Sequence, residues 1–235
     1  MAKQPRITVV QLDPGVPLGR FDRWLRDSGV RLSLVELWAK DVPQLASVGD
    51  GLLVLGGRMS VRDGKTHPWM DPLCDLLADA HSIDLPVLGI CLGHQLLAET
   101  LGGHVTVADP VGGEEGPVEI EWLEDAADDP VFGALASRGT TILAESHHDT
   151  VTVLPAGAVE LARSAGCANQ AFRLGSARGV QFHPEATPEL VASWSDTGLH
   201  ARGEIAERMQ AADATISASS RLVATGFVEL VRAGS

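Results

Sequence analysis

A cysteine at the end of a short apolar run is the first residue whose surroundings suit chemistry. Cys91 lies in Pro-Val-Leu-Gly-Ile-Cys-Leu-Gly-His-Gln, with Gly89 and Gly93 two residues away on either side. Pro86–Ile90 predicts a buried parallel strand, and the leucine spacing in His94–Leu101 predicts a helix. A tight turn between them would place the thiol at a helix N-terminus, which favours the thiolate. The pattern predicts a nucleophile, with a buried structural cysteine as the alternative.

The glycines on either side of Cys91 have a steric reason in such a turn. A side chain at Gly89 or Gly93 would collide with the adjoining chain of a strand-turn-helix elbow. We also expect Cys91 to be exposed and to react with alkylating agents before Cys74, a predicted core residue, and Cys167, a predicted loop thiol.

A cysteine nucleophile requires a base within hydrogen-bonding reach and a group that orients the base. His183 follows the strand-like segment Ala177–Phe182, and Glu185 comes two residues later in Gly-Val-Gln-Phe-His-Pro-Glu. Residues two apart in an extended segment point the same way, and Pro184 disfavours a helical conformation at the histidine. Glu185 can therefore fix the tautomer of His183 as the third member of a triad.

Paired glycines follow another apolar run, in Leu-Leu-Val-Leu-Gly-Gly-Arg-Met-Ser. A turn is the commoner role for Gly56 and Gly57. Beside a nucleophile they would instead expose backbone N–H groups, as an oxyanion hole requires. Leu92, directly after the cysteine, would supply the second N–H group in an elbow.

Apolar runs and helical patterns alternate in the first hundred residues, which predicts βαβ crossovers and a parallel sheet. Shorter strand candidates follow, and they should extend the sheet or add an antiparallel layer. Catalytic residues of open α/β folds gather at the C-terminal edge of the strands, and both Cys91 and His183 follow strands. The predicted strands are Ile7–Gln11, Leu32–Leu37, Gly51–Leu55, Pro86–Ile90, Val105–Ala108, Val118–Trp122, Thr141–Ala144, Val159–Ser164, Asn169–Arg173 and Ala177–Gln181. The predicted helices are Phe21–Ser28, Asp71–Ala80, His94–Leu101, Leu190–Trp194 and His200–Val231.

Composition excludes several classes of partner. The 235 residues carry a formal net charge of −13, with 18 basic and 31 acidic residues, so a nucleic-acid partner is not expected. A hydrophobic content of 45% argues against disorder, and no apolar run approaches the roughly 20 residues that span a bilayer. We therefore expect no membrane partner. The three cysteines suggest neither a disulfide framework nor a zinc site, and with no signal-type segment at the N-terminus we expect a cytoplasmic protein.

Three of these segments together resemble the signature segments of class I glutamine amidotransferase domains, in the same chain order. They are Leu55–Gly57, Gly89–Gln95 and Gly179–Glu185. Three further segments resemble the GMP-synthase-like branch of that family: Glu145–Val151, Leu154–Gly157 and Asn169–Phe172. We expect a single domain over residues 1–235, with the motifs in residues 6–187 and a helical part over residues 188–235.

The resemblance implies a flavodoxin-like, doubly wound sheet that is mostly parallel with antiparallel additions. It also implies hydrolysis of the side-chain amide of glutamine through a glutamyl thioester, giving glutamate and ammonia without a cofactor. Cys91 would be the nucleophile, His183 the acid and base, and Glu185 the residue that orients the histidine.

The other site residues are also assigned by the resemblance. Gly57 and Leu92 would offer backbone N–H groups to the oxyanion, and Gln95 would contact the amino-acid end of the substrate together with the main chain near His148 and Asp149. His148 stands where GMP synthases usually have glycine, and an arginine replaces the usual proline after the paired glycines.

The resemblance implies that the acceptor of the ammonia is a synthetase on a separate, partner chain. Fewer than fifty residues follow Pro188, which is too few for the ATP-pyrophosphatase and dimerisation modules of a complete GMP synthase. The domain is therefore expected to be a free-standing subunit.

Other functions remain open on the sequence alone. A hydrolase of γ-glutamyl peptides or conjugates would use the same triad with a different leaving group, and a non-catalytic regulatory module would keep only the fold. A metal site formed by His147, His148 and Asp149 with His183 and Glu185 is disfavoured, because a thiol-based hydrolase needs no ion. We expect no metal. Three tryptophans at helical spacing are predicted core residues: Trp24, Trp69 and Trp194.

Overall fold

The computed structural model describes residues 4–195 and 202–234, and eleven strands and seven α-helices lie in these ranges. The strands are β1 (Arg6–Gln11), β2 (Arg31–Glu36), β3 (Gly51–Val54), β4 (Val87–Ile90), β5 (His104–Thr106), β6 (Glu114–Trp122), β7 (Thr141–His147), β8 (Thr150–Val153), β9 (Val159–Arg163), β10 (Ala171–Leu174) and β11 (Ala177–Val180). The helices are α1 (Arg20–Asp27), α2 (Leu45–Val48), α3 (Met70–Ser82), α4 (Leu92–Thr100), α5 (Gly133–Ala136), α6 (Pro188–Trp194) and α7 (Arg202–Ala233). The first two residues of the helix predicted over His200–Val231 lie outside the described ranges.

Nine strands form one mixed sheet in the order β2-β1-β3-β4-β11-β10-β9-β6-β7. The pairings from β2 to β11 are parallel, and those from β11 to β7 are antiparallel. Strands β5 and β8 form a separate antiparallel pair. The predicted α/β fold with a parallel core and antiparallel additions is confirmed, and the antiparallel part is as large as the parallel part. Strand β8 was not predicted.

The central strand β3 is buried on both sides, because successive strand side chains point to opposite faces of a sheet. Leu53 and Leu55 belong to the apolar cluster that includes residues of α1 and α7. Leu52 and Val54 belong to the cluster on the other face, together with residues of α3 and α4. The continuous apolar run at β3 therefore reflects a strand covered by helices on both faces.

The long helix α7 covers the sheet, as its amphipathic pattern predicted. It packs against α1, α6, β6 and β7. Ile205 and Met209 share an apolar cluster with Val191 of α6, whereas Phe227 and Val231 belong to the cluster around α1. No helix in the described ranges is both long and apolar enough to cross a membrane.

The neighbouring strands β4 and β11 bring two of the predicted site segments together. Ile90 and Val180, the last residues of these parallel strands, are register partners. The backbone N–H of Cys91 then donates a hydrogen bond to the carbonyl of Val180, at 2.8 Å. The chain after each strand therefore emerges at the same edge of the sheet, where Cys91 and His183 both lie.

Candidate active site

Cys91 lies in the tight turn between β4 and α4 that the sequence predicted. Its φ of 51° is in the left-handed region, which a non-glycine residue rarely adopts, and it is the N-cap of α4. A methyl group added at Gly89 would lie 2.5 Å from the carbonyl oxygen of Gly93, and one added at Gly93 would overlap the carbonyl oxygen of Val54. The elbow and the steric role of both glycines are thus present in the fold.

The prediction that Cys91 is exposed was wrong. Only 6% of the residue is accessible, and the cysteine contributes to the wall of a cavity of about 470 Å³. The short turn explains the difference, because α4 and the neighbouring loops close around its N-terminal residue. Reagents and substrates must therefore reach the thiol through the cavity.

His183 and Glu185 form a buried pair. Nδ1 of His183 lies 2.8 Å from Oε1 of Glu185, and both side chains are almost inaccessible. The backbone fixes both residues, because the N–H of His183 donates to the carbonyl of Ala144 and the carbonyl of Glu185 accepts from the N–H of Arg20, each at 2.8 Å. The carboxylate at Nδ1 leaves Nε2 as the nitrogen that can exchange a proton with a reactant.

Charges around His183 favour its protonated form. Burial lowers the pKa of His183, but the charges of Glu185 and Cys91 and hydrogen bonds to both residues raise this pKa well above its usual value. A thiolate and an imidazolium that lie side by side stabilise each other in the same way. The arrangement can therefore hold a charged cysteine–histidine pair at neutral pH.

The paired glycines after β3 lie against the triad. A methyl group on Gly56 would lie 2.9 Å from Cε1 of His183 and 3.4 Å from Cβ of Cys91. A methyl group on Gly57 would lie 3.1 Å from Cδ2 of Leu92, and Gly57 contributes to the cavity wall. Both predicted oxyanion residues are thus next to each other beside the cysteine.

The predicted substrate-binding residues also line this cavity, namely Gln95, His148 and Asp149. Nε2 of Gln95 donates to the carbonyl of Asp149 at 2.9 Å and to Oε1 of Gln181 at 3.1 Å. The Asp149 carboxylate accepts from the N–H of Ala108 at 2.8 Å, whereas His148 is exposed. These contacts join α4 to the chain between β7 and β8.

Trp194 is a cavity residue that the sequence analysis misassigned to the core. Its ring centroid lies 4.6 Å from that of His183, and its Nε1 donates to the carbonyl of Gly15 at 2.7 Å. Helical spacing assigned the tryptophan correctly to α6 but did not indicate which neighbour it would meet. Trp194 thus packs against the candidate base and helps to fix its ring.

An ion pair lies at another side of the cavity. Arg58 donates to both carboxylate oxygens of Asp13, from Nε at 2.8 Å and from Nη2 at 2.9 Å. Burial raises the pKa of Asp13, but hydrogen bonds from Arg58 and from the backbone of Gly15 leave this pKa below its usual value. Arg58 itself is 65% exposed and lines the cavity. The residue that replaces the usual proline therefore places a positive charge near the substrate space.

The other two cysteines lie away from this site. Cys167 is only 3% accessible, and burial raises its pKa to about 12. Cys74 of α3 is half-buried, and burial also raises its pKa. Neither thiol is therefore suited to form a thiolate at neutral pH.

Known proteins share both the sequence and the fold of this chain. The family described as "Glutamine amidotransferase class-I" matches residues 20–193. The glutamine-hydrolysing subunit of GMP synthase from Haloquadratum walsbyi is 39% identical over 165 residues, which cover 69% of this chain and 80% of that protein. The corresponding subunit from Methanococcoides burtonii is 41% identical over 138 residues, which cover 58% of this chain and 64% of that protein.

A solved structure gives the same result over nearly the whole chain. A glutamine amidotransferase from Methylobacillus flagellatus superposes with a TM-score of 0.83 at 26% identity, and the match covers 97% of this chain and 96% of that one. Taken with the sequence matches, this similarity leads to one conclusion. The chain is a member of the class-I glutamine amidotransferase family.

Proposed function

We propose that this protein hydrolyses the side-chain amide of glutamine through a triad of Cys91, His183 and Glu185. The thiolate of Cys91 attacks the amide carbon and forms a tetrahedral oxyanion. The C–N bond breaks as His183 protonates the departing ammonia, which leaves a γ-glutamyl thioester on sulfur. Water then attacks the thioester with His183 as the base, releasing glutamate and regenerating the thiolate.

The buried contact between His183 and Glu185 carries this proposal. A carboxylate 2.8 Å from Nδ1 holds the imidazole in one orientation and stabilises its charged form. The hydrogen bond of the same imidazole with Cys91 places the proton donor beside the nucleophile. A merely structural histidine would not need both a carboxylate and a thiol partner in a cavity wall.

The oxyanion would be stabilised by the backbone N–H groups of Gly57 and Leu92. Leu92 is the first residue of α4, so its N–H is one of those that have no partner within the helix, and the helix dipole adds to the effect. Gly57 lies beside Leu92 across the cavity wall. Removal of one such donor in other hydrolases costs about 100- to 1,000-fold in kcat.

The ammonia would serve a synthetase on another chain. The relatives from Haloquadratum walsbyi and Methanococcoides burtonii are named as glutamine-hydrolysing subunits of GMP synthase, and their similarity supports the same division of labour here. The partner proposed for this chain is therefore an ammonia-accepting synthetase subunit of the GMP synthase type.

A second candidate function is hydrolysis of γ-glutamyl peptides or conjugates. The cavity of about 470 Å³ lies within the roughly 300–1,000 Å³ typical of small-molecule sites and leaves space for a leaving group larger than ammonia. Asp63 and Glu115 also line it, so a leaving group with a positive charge would be accommodated best.

Glutamate release from glutamine and from a γ-glutamyl dipeptide, measured with the purified protein, separates the two candidates. The proposal predicts a higher kcat/KM for glutamine. A kcat/KM for the dipeptide that exceeds the value for glutamine by tenfold or more would replace the first function with the second. Failure to release glutamate from either substrate, with or without a synthetase partner, would contradict both.

A further inference from the structure

Three ionisable side chains that the proposed triad does not use meet beside it. Glu114 begins β6, and Glu145 and His147 lie near the end of β7, where Glu114 and His147 are register partners. Nε2 of His147 lies 3.5 Å from Oε2 of Glu114 and 3.6 Å from Oε2 of Glu145. The Glu145 and His147 side chains are 0% and 1% exposed, so one imidazole nitrogen faces two carboxyl groups inside the protein.

The hydrogen bonds of His147 leave this nitrogen available as a ligand. Nδ1 lies 3.2 Å from the carbonyl oxygen of Asp149, which can only accept, so Nδ1 carries a proton. In the neutral ring, Nε2 therefore bears a lone pair. Histidines that bind metals commonly donate their other N–H to a backbone carbonyl in this manner.

Polar atoms in this cluster lack hydrogen bonds although they are buried. Neither carboxyl oxygen of Glu145 forms a hydrogen bond, nor does Nε2 of His147. A buried polar group without a hydrogen bond costs about 1–3 kcal/mol, and more when it is charged. Burial and the nearby charge of Glu114 raise the pKa of Glu145 well above its usual value. A bound cation would remove both penalties.

The separations fit ligands of one ion better than they fit hydrogen bonds. Nitrogen and oxygen atoms joined by a good hydrogen bond are about 2.7–3.2 Å apart, which is shorter than both distances from Nε2 of His147. Two ligands at about 2.0–2.2 Å from a tetrahedral zinc ion are about 3.3–3.6 Å apart. The three ligand atoms all lie within 4.8 Å of one another.

Glu114 is also held in the manner of a metal ligand. Its carboxylate accepts from Oγ of Ser164 at 2.8 Å and from Nε2 of Gln170 at 2.7 Å. Burial raises the pKa of Glu114, but hydrogen bonds from His147 and Ser164 leave this pKa below its usual value. Carboxylates that bind metals are typically oriented by such outer contacts.

We propose that Glu114, Glu145 and His147 bind a divalent transition-metal ion of the zinc class. One nitrogen and two carboxylate oxygens suit zinc, and the same set accepts cobalt. Glu114 and His147 line the cavity that contains Cys91, so the fourth ligand position faces the substrate space. This set shares only His147 with the ligands that the sequence suggested, because the register of β6 against β7, which brings in Glu114, was not visible in the sequence.

Cobalt titration of the purified, chelator-treated protein tests this site through the visible absorption of the ion. The protein should bind one equivalent of Co²⁺ with the intense bands of a tetrahedral site, and Zn²⁺ should displace it. Glu145→Gln and His147→Ala should each weaken binding by more than the roughly 10- to 100-fold caused by loss of an outer contact. The matched controls Glu119→Gln and His104→Ala, at exposed positions, should bind as the wild type does.

The triad offers a competing site, which Cys91→Ala distinguishes. The proposal requires this variant to keep the cobalt spectrum, and X-ray absorption of the zinc-loaded wild type to give nitrogen and oxygen ligands at about 2.0–2.2 Å without sulfur. The latter measurement does not depend on whether a variant folds. The site is excluded if the wild type binds no ion at micromolar concentration, if Glu145→Gln binds as tightly as the wild type, or if sulfur is found among the ligands.

Discussion

Oε1 of Glu185 lies 2.8 Å from Nδ1 of His183, and both side chains are buried at the cavity that contains Cys91. A carboxylate in this position raises the pKa of the imidazole, together with the cysteine charge and against the effect of burial. Glu185 is therefore expected to control the pH range in which the histidine can act as an acid.

Glu185→Gln should narrow that range from the alkaline side. The raised pKa of His183 keeps the ring protonated above neutral pH, and loss of the carboxylate charge lowers the pKa, so activity should disappear at a lower pH than in the wild type. The amide can still hydrogen-bond, so kcat at the optimum should fall less than in His183→Ala. The measurement is kcat/KM against pH. An unchanged alkaline limb would mean that another group sets it.

Gly93→Ala should prevent correct formation of the elbow. The added methyl group would overlap the backbone carbonyl of Val54, which cannot move without disturbing β3, and we expect a loss of at least about 3 kcal/mol in the free energy of unfolding. Gly64→Ala is the matched control, because a methyl group there would have nothing within 4 Å. Urea unfolding of both variants measures the difference. Equal stabilities would show that the close approach at Gly93 is wrong.

His94 should make the protein sensitive to acid. Its ring is fully buried against Phe172, and burial, followed by the charge of His147, lowers its pKa to about 3. A pKa depressed on folding gives stability that is present above the unfolded pKa of about 6.5 and is lost as the pH falls towards 3.

The corresponding test compares the wild type with His94→Leu by unfolding between pH 7 and pH 4. The wild type should lose about 1.4 kcal/mol per pH unit more than the variant does below about pH 6. The variant removes the titrating ring and keeps an apolar side chain against Phe172. Parallel stability curves for the two proteins would exclude His94 as the source of acid sensitivity.

Trp194 should act by positioning His183. Trp194→Ala removes the ring that packs at 4.6 Å from the imidazole, and we expect kcat to fall by up to about 100-fold with a smaller change in KM. Trp194→Phe keeps a ring but cannot donate to the carbonyl of Gly15, so it should recover most of the activity. Steady-state kinetics decide this. A larger effect on KM than on kcat would instead indicate substrate contact.

Short-range rules predicted much of this site from the sequence. Glycines two residues before and after Cys91 predicted a close backbone approach, and the alternation of an extended chain predicted that Glu185 would face the same way as His183. Both results depend on backbone geometry within a few residues. The parallel core followed from the alternation of strands and helices for the same reason.

Long-range packing was not visible in the sequence. Trp194 meets His183 only because α6 packs beside the end of β11, and Glu114 meets His147 only because of the register between β6 and β7. The burial of Cys91 depends on loops that are distant in the sequence. Patterns with a period of two or 3.6 residues describe one element at a time and do not identify the neighbour of each side chain.

Glutamate release by the Cys91→Ala variant tests the central claim most directly, with Cys167→Ala as the control at another buried cysteine. Loss of the nucleophile should lower kcat by several orders of magnitude, as in other hydrolases that form covalent intermediates. Cys167→Ala should retain its activity, and both variants should fold as judged by thermal unfolding. If Cys91→Ala released glutamate from glutamine at the wild-type rate, the proposed thioester mechanism would be wrong.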